Sequence, residues 1–525
     1  MMRRLKNICF AALFGMLVSP AFGHINPNKK QGKPALTETS VVNFREDCTA
    51  ATAQTDQDIN NVRARLLTGG DVWWDLQEGK YIVPAPPIGS GLPEVSSIFA
   101  GAVWLGGVDP SGNLKVAATD YRNGGNTDFY PGPLDPETGL TDLSVCQRWD
   151  QFFEVLGDEV EKAIRDYETA VFNGSEYDVD SIPDGVKYWP GKGNPNLTYL
   201  PNQDLAPFMD INSDGIYNTA DGDYPLIKGD YALWWVMNDV GNSHTVTGGA
   251  PLGIEIQMMA YGYSTSDVLN DQTFYEMKVI NKSGLMWHDY YFGIFMDPDL
   301  GNYADDYVGI DTSRRTMYVY NGDSFDEDNA GVVGHDSSLA VQGLTFPNPP
   351  VYHGPSSDVD FSLGSFSAFT GSMPSTPSDF YNTLSYTSYI DPITLGLTPF
   401  EYPDDPSTTG WSECAFANPP GDRRMMMSFG PMDIPAMGEI TTCFGLIYHN
   451  TGHDQNCDGP NELFSLIDSL GDFCSNLENV GIEQQELAFN VWPNPANSSI
   501  TVQTGTYNSG YSIQNSLGQV IKTGV

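Results

Sequence analysis

The stretch YALWWVMND, residues 231–239, decides the fold. Seven apolar residues run without a break into Asn238 and Asp239, which is strand length followed by turn chemistry. Consecutive side chains of a strand face opposite ways. Trp234 and Trp235 therefore point apart: either one is a solvent-facing platform that stacks on sugars, or both are buried between sheet and helix. Trp73 and Trp74 pose the same alternative.

Outward from this run the pattern repeats. LGIEIQMMAYGYS (252–264), QTFYEMKVIN (272–281), DYYFGIFMD (289–297) and TMYVYNGD (316–323) read as strands, with a turn at Asn281-Lys282-Ser283-Gly284. Upstream, NNVRARLLTGGDVWWDL (60–76), YIVP (81–84), SSIFAGAVWLGGVD (96–109) and NLKVAATDY (113–121) are short β-type runs between Gly, Pro and Asp turns. MMMSFG (425–430) and ITTCFGLIYHN (440–450) resume it after a polar stretch, 348–408, that reads as long loops with one strand near 360–370. With 54 Gly and 36 Pro, frequent turns favour antiparallel sheets.

Two segments break the strand pattern. In 141–171, Val145, Trp149, Phe152, Leu156, Val160 and Ala163 recur at three and four residues, which predicts one amphipathic helix capped by Thr141 or Asp142. Residues 461–474 predict a closing helix. The expected fold is mainly β: an antiparallel β-sandwich body over 59–475, in two subdomains, with a few packed helices and the helical insert 141–171. An extended arm, 24–58, precedes it.

The chain carries 67 acidic and 25 basic side chains, a formal charge of −42. Nucleic acid and anionic lipid repel such a polyanion, whereas divalent cations attract it. DINSDGIYNTAD (210–221) has the spacing of a calcium loop. Asp210, Asn212 and Asp214 fall at positions 1, 3 and 5, Gly215 supplies the turn at 6, the Ile216 carbonyl serves at 7, Asn218 at 9, and Asp221 closes at 12. The closing Asp resembles dockerin-type extracellular loops more than signalling EF-hands, and flanking Pro207 and Pro225 leave no room for a helix pair. Structural Ca2+ is the expected cofactor. A second candidate cation site lies in MDPDLGNYADDYVGID (296–311), with Asp297, Asp299, Asn302, Asp305 and Asp306 as its ligands. DQNCDG (454–459) repeats only the first half of the loop and reads as a helix start rich in capping acids.

No nucleophile elbow, phosphate-binding loop or dinucleotide fingerprint is present. His449 and His453 in HNTGHD have metal-ligand spacing but lack an HExxH context. A metallopeptidase would need a third ligand beside them. A polysaccharide hydrolase would need two carboxylates across a cleft.

The ends of the chain give an address. A basic start, an apolar run from Ile8 to Val18, and Ala21-Phe22-Gly23 predict a signal peptide over 1–23. Loss of Arg3, Arg4 and Lys6 with it takes the charge from −42 to −45. No later segment offers the roughly 20 apolar residues of a membrane helix. The six remaining cysteines, Cys48, Cys146, Cys414, Cys443, Cys457 and Cys474, allow three disulfides. A helix between Cys457 and Cys474 argues against that pair.

WPNPANSSITV (492–502) and YSIQNSLGQVIKTG (511–524) resemble the C-terminal sorting domain of type IX secretion substrates in Bacteroidetes. The resemblance covers 489–525, after a linker at 476–488. It implies a small Ig-like β-sandwich that engages the type IX machinery, and a protein secreted or held at the outer-membrane surface after crossing the periplasm. Such domains continue through further strands to a basic end, so either the sequence is truncated or this copy is impaired for export. The body is similar to secreted Bacteroidetes proteins of unassigned activity through NNVRARLLTGGDVWWDL, SIFAGAVWLGGVD, LKVAATDYR, DFYPGPLD, DINSDGIYNTADGDYP, GDYALWWVMNDVGN and FMDPDLGNYADDYVGID. That resemblance implies no catalytic residue. The expected function is a non-enzymatic binding or adhesion role toward glycans or other cell-surface material.

Overall fold

A computed structural model describes residues 46–476, apart from 330, 386–387 and 453–456, together with four short strands beyond them. The signal peptide and the first part of the arm lie outside the described residues. So do the linker from 477 and most of 489–525; of the latter, Asn490–Trp492 pairs with Thr501–Gln503 and Tyr511–Gln514 with Val520–Gly524.

Two large antiparallel sheets make the body. In the first, Leu363–Phe369, Arg424–Ile434, Trp287–Asp297, Ala100–Val108, Asp71–Val72, Arg63–Leu67, Tyr81–Ile82 and Ser96–Ile98 follow one another across the sheet. In the second the order is Asp306–Asp311, Thr316–Asn321, Ala340–Thr345, Glu439–Asn450, Thr273–Asn281, Ile254–Gly262, Tyr231–Asn238 and Tyr130–Pro131. Both sheets draw strands from early and late in the chain.

Side-chain alternation explains the layering. From the strand Tyr231–Asn238, Tyr231, Leu233, Trp235 and Met237 enter the core between the sheets, where they join Leu105, Ile294 and Met427. Ala232, Trp234 and Val236 face the other way, into a second core closed by Val160 and Ile164 of the helix Gly157–Asn173 and by Leu463 and Ile467 of the helix Gly459–Leu470. A strand apolar on both faces needs cover on both. The outer face of the first sheet is covered too: Phe380 and Leu384 of the helix Pro377–Ser385 pack on Trp104, Phe295 and Met426. Gly106 makes room for it, because a Cβ there would stand 2.6 Å from the Tyr381 ring.

Three sequence expectations need correction. The insert 141–171 is not one helix. Asp142 caps Leu143–Trp149 by accepting from the Ser144 and Val145 amides, the strand Phe153–Leu156 follows, and Gly157–Asn173 is a separate helix. Pairing with Tyr231–Trp234 overrides the helical period, and alternation sends Phe152 to Trp235 and Phe153 to Trp234. The arm expected over 24–58 also yields its end to the first sheet, since Gln54–Gln57 pairs with Arg63–Leu67. The polar stretch 348–408 contains its expected strand, Leu363–Phe369, and in addition the unforeseen helix Pro377–Ser385.

The six cysteines pair as Cys48–Cys146, Cys414–Cys457 and Cys443–Cys474. The pairing excluded on helix length is not formed. A polar clasp joins the sheets at one edge. His244 lies with Nδ1 2.7 Å from the Val116 carbonyl, in a strand of the first sheet, and Nε2 2.8 Å from the Asp239 carbonyl, at the end of a strand of the second. Both ring nitrogens therefore face carbonyl oxygens, one from each sheet. Buried Asp128 and Asp239 stand 3.6 and 3.8 Å from the ring nitrogens. Both also hold backbone: Asp128 accepts from the Ala118 and Val246 amides, and Asp239 from Leu252, Gly253 and Ile254. Removing one partner leaves buried charge uncompensated, so His244→Ala should cost about 3–5 kcal/mol in denaturant unfolding.

Candidate metal centres and a surface cleft

The loop 210–221 hangs between two short paired strands, Phe208–Met209 and Tyr224–Pro225. Its acids organise the backbone by accepting from loop amides. Asp210 accepts from the Gly215 amide at 2.7 Å and the Asp214 amide at 3.2 Å, and Asp214 accepts from Ile216. Gly215 takes φ +79°, a left-handed conformation that favours glycine. Asn218 donates to Asp221 at 2.6 Å. A residue beyond the twelve-position pattern anchors the loop: buried Asp223 accepts from Ile211 and Asn218, both at 2.8 Å. Burial pushes its carboxyl above the ordinary range, partly countered by those two amides. The loop offers only Asp210, Asp214 and Asp221 as charged ligands; Asn212, Asn218 and the Ile216 carbonyl are neutral oxygens.

The second candidate set divides. Among the described residues, two groups of three acids bring ligand atoms within 4.8 Å of one another: Asp297, Asp299 and Asp422, and Asp305, Asp323 and Glu327. Asp297 ends the strand Trp287–Asp297 and is 3% exposed. Its Oδ2 accepts the Tyr121 hydroxyl at 2.6 Å and lies 3.6 Å from Arg424, whereas its buried Oδ1 has no partner. Burial pushes Asp297 up to about 6 and raises Asp299 as well, with neighbouring carboxylates adding to the latter. In the other group, Asn302 donates to Asp305 at 2.9 Å and to buried Asp326 through its amide at 3.0 Å. Asp305 is pushed up to about 7 by burial and by the Asp326 charge. Asp306 lies fully buried, accepting from the Leu300 amide on one oxygen and unpartnered on the other. Asp297 and Asp299 thus fall in one acidic group and Asp305 in the other; Asn302 is hydrogen-bonded to Asp305, and Asp306 is in neither group. Asp323, Glu327 and Asp422 carried no local motif; only tertiary folding brings them in.

The tryptophan pairs do not face solvent. Trp73, Trp74, Trp234 and Trp235 are all at most 3% exposed. Trp73 donates to the Tyr275 hydroxyl at 3.0 Å and Trp74 to Asp71 at 2.8 Å. Of the paired histidines, His449 lies on the strand Glu439–Asn450 with Nε2 3.0 Å from Glu462, and His453 is outside the described residues.

A cleft of about 630 Å³ opens on the outer face of the second sheet, between residues 204–208 and 348–351. Trp234 and Met259 form its apolar floor, and Gln257, Glu276, Lys278 and Thr441 line it. Lys278 pairs with Glu439 at 2.9 Å and Glu276 with Lys228 at 2.5 Å. Its volume falls within the range of small-molecule sites. A second, more open cleft of about 680 Å³ is lined by Glu401, Tyr402, Glu413 and Asp422. Glu413 is engaged there by Arg423 at 2.9 Å and by the Val308 amide.

The fold defines an antiparallel two-sheet sandwich covered on its outer faces. The chain matches no protein-family model and no curated protein.

Trp74→Ala and Trp235→Ala should each cost about 3–5 kcal/mol in urea unfolding, as buried aromatics do. Neither substitution should weaken retention on polysaccharide affinity gels, the property an exposed sugar platform would control.

Proposed function

We propose that this chain works outside the cell as a calcium-stabilised, non-enzymatic binding protein for glycans or other cell-surface material. In this reading it is exported through the type IX route by its C-terminal region. The observation that carries the binding role is the cleft over the second sheet. An apolar floor beneath Glu276, Lys278 and Thr441 offers acceptor, donor and hydroxyl groups side by side. Sugars present that same combination, hydroxyls at the edge and C–H faces. The pairing of all six cysteines in 48–474 supports an oxidising destination.

Calcium in the loop 210–221 is the structural part of the proposal. Extracellular calcium modules bind at about 10⁻⁴ to 10⁻³ M. Chelation should therefore lower the melting temperature, and Asp214→Ala should shrink that shift. A melt unchanged by chelator in the wild-type chain removes calcium from the account.

The binding role is tested by incubating the purified chain, with calcium, against a panel of polysaccharides and peptides. Retention without product is expected, and Glu276→Gln with Lys278→Met should lower retention about tenfold, the loss of about 1.4 kcal/mol. New oligosaccharides or cleaved peptides would overturn the non-enzymatic reading. Retention unaltered by the double variant would remove the cleft as the binding site.

A further inference from the structure

We propose that Asp297, Asp299 and Asp422 form a divalent-cation site, selective for Ca2+, that fastens the ends of two neighbouring strands of the first sheet. It is independent of the loop 210–221 and shares no residue with it.

The argument begins with register. Met296 pairs with Met425 across the strands Trp287–Asp297 and Arg424–Ile434, so Asp297 ends one strand beside the start of the other. Asp299 follows two residues later on one side and Asp422 precedes on the other. Their ligand atoms converge within 4.8 Å. Convergence of acids alone would mean little, because an acidic protein crowds carboxylates anyway. The second observation is Asp297 Oδ1, which is buried in a residue 3% exposed and lacks any hydrogen-bond partner. Asp422 also carries a buried oxygen without a partner. Buried carboxylate oxygens are rarely left so, since each forfeits its hydration for nothing.

Charge points to the same conclusion. Arg424 is the cation in contact with the group, 3.6 Å from Asp297 and 3.1 Å from Asp422. Three carboxylates against one guanidinium leave an excess of two negative charges, which one divalent ion cancels. The Tyr121 hydroxyl donates to Oδ2 of Asp297 and itself accepts from Arg424 Nε, as surrounding hydrogen bonds orient ligands in metal sites. The donors are all oxygen, which suits Ca2+ or Mg2+ over softer metals. Two of the three come from loops rather than from a rigid octahedral cage, and such adaptable carboxylates favour Ca2+. Asp299 and Asp422 are only partly buried, so water can supply the remaining positions.

The aromatic neighbours give the site its own reporter. The Tyr121 ring meets Trp74 at 6.1 Å while its hydroxyl bonds Asp297. Tb3+ replacing Ca2+ here should be excited through Trp74. The experiment titrates Tb3+ into the full chain and follows tryptophan-sensitised emission, with competition by Ca2+ and by Mg2+. In the Asp214→Ala variant, which disables the other loop, saturable emission should persist and should fall at least fivefold on adding Trp74→Phe. Asp299→Asn with Asp422→Asn, which keep the side-chain shapes, should lose at least tenfold in Tb3+ affinity at this site, with an unchanged circular dichroism spectrum. Undiminished Trp74-dependent binding in that double variant would overturn the proposal. Displacement by Mg2+ as readily as by Ca2+ would overturn the selectivity. Loss of emission in Asp214→Ala alone, with the Asp299 and Asp422 variant unaffected, would support the loop 210–221 and sink this site.

Discussion

The second sheet is apolar on both faces, and the rest of the molecule is arranged around that constraint. Tyr231–Asn238 buries every residue, as does its neighbour Ile254–Gly262. The first sheet can cover only one side. The other is closed by the chain between Tyr130 and Tyr231, which includes the helices Leu143–Trp149 and Gly157–Asn173 with a strand between them, and by the helix Gly459–Leu470. These segments behave as integral parts of a layered core, which is why so many aromatic side chains are fully buried rather than displayed.

An excess of acid over base shapes the polar structure. With 67 acidic and 25 basic residues, most carboxylates cannot have an ionic partner. Many turn instead to backbone amides. Asp109, Asp135 and Asp391 each accept from a side chain of the turn that follows, Asn113, Thr138 and Thr394 respectively, and from its backbone amides, and these bonds hold their carboxyls below the ordinary range. Buried Asp128 and Asp239 also accept from backbone amides, on either side of the His244 ring. Where carboxylates outnumber both amides and cations, around 297–306, the oxygens stay unsatisfied.

Much of this was legible in the sequence, for local reasons. Runs such as 231–239 and 252–264 name their own strands, because apolar continuity and flanking turns are properties of a short window. The helix Gly459–Leu470 was equally plain. The segment 141–171 was misread because its three- and four-residue recurrence is real, yet Phe152 and Phe153 answer to a strand edge that no local window reveals. The helix Pro377–Ser385 had a readable signal: Thr376 and Asp379 cap one another through side chain and amide. The candidate metal residues divide on the same line. Positions 210–221 follow one contiguous pattern, whereas Asp422 meets Asp297 only because two strands are neighbours in the sheet. Burial of the tryptophan pairs depended likewise on how many layers the chain would build.

The three disulfides each fasten a covering element. Cys48–Cys146 ties the leading segment to the helix Leu143–Trp149, Cys443–Cys474 ties the end of the body to a central strand, and Cys414–Cys457 holds the chain entering the helix Gly459–Leu470. None crosses between the two sheets. A chain with free thiols would keep its sandwich but have a loose wrapper, exposing Trp234, Phe274 and their neighbours to whatever is nearby. Completion of the wrapper therefore depends on whether these three pairs of thiols are oxidised.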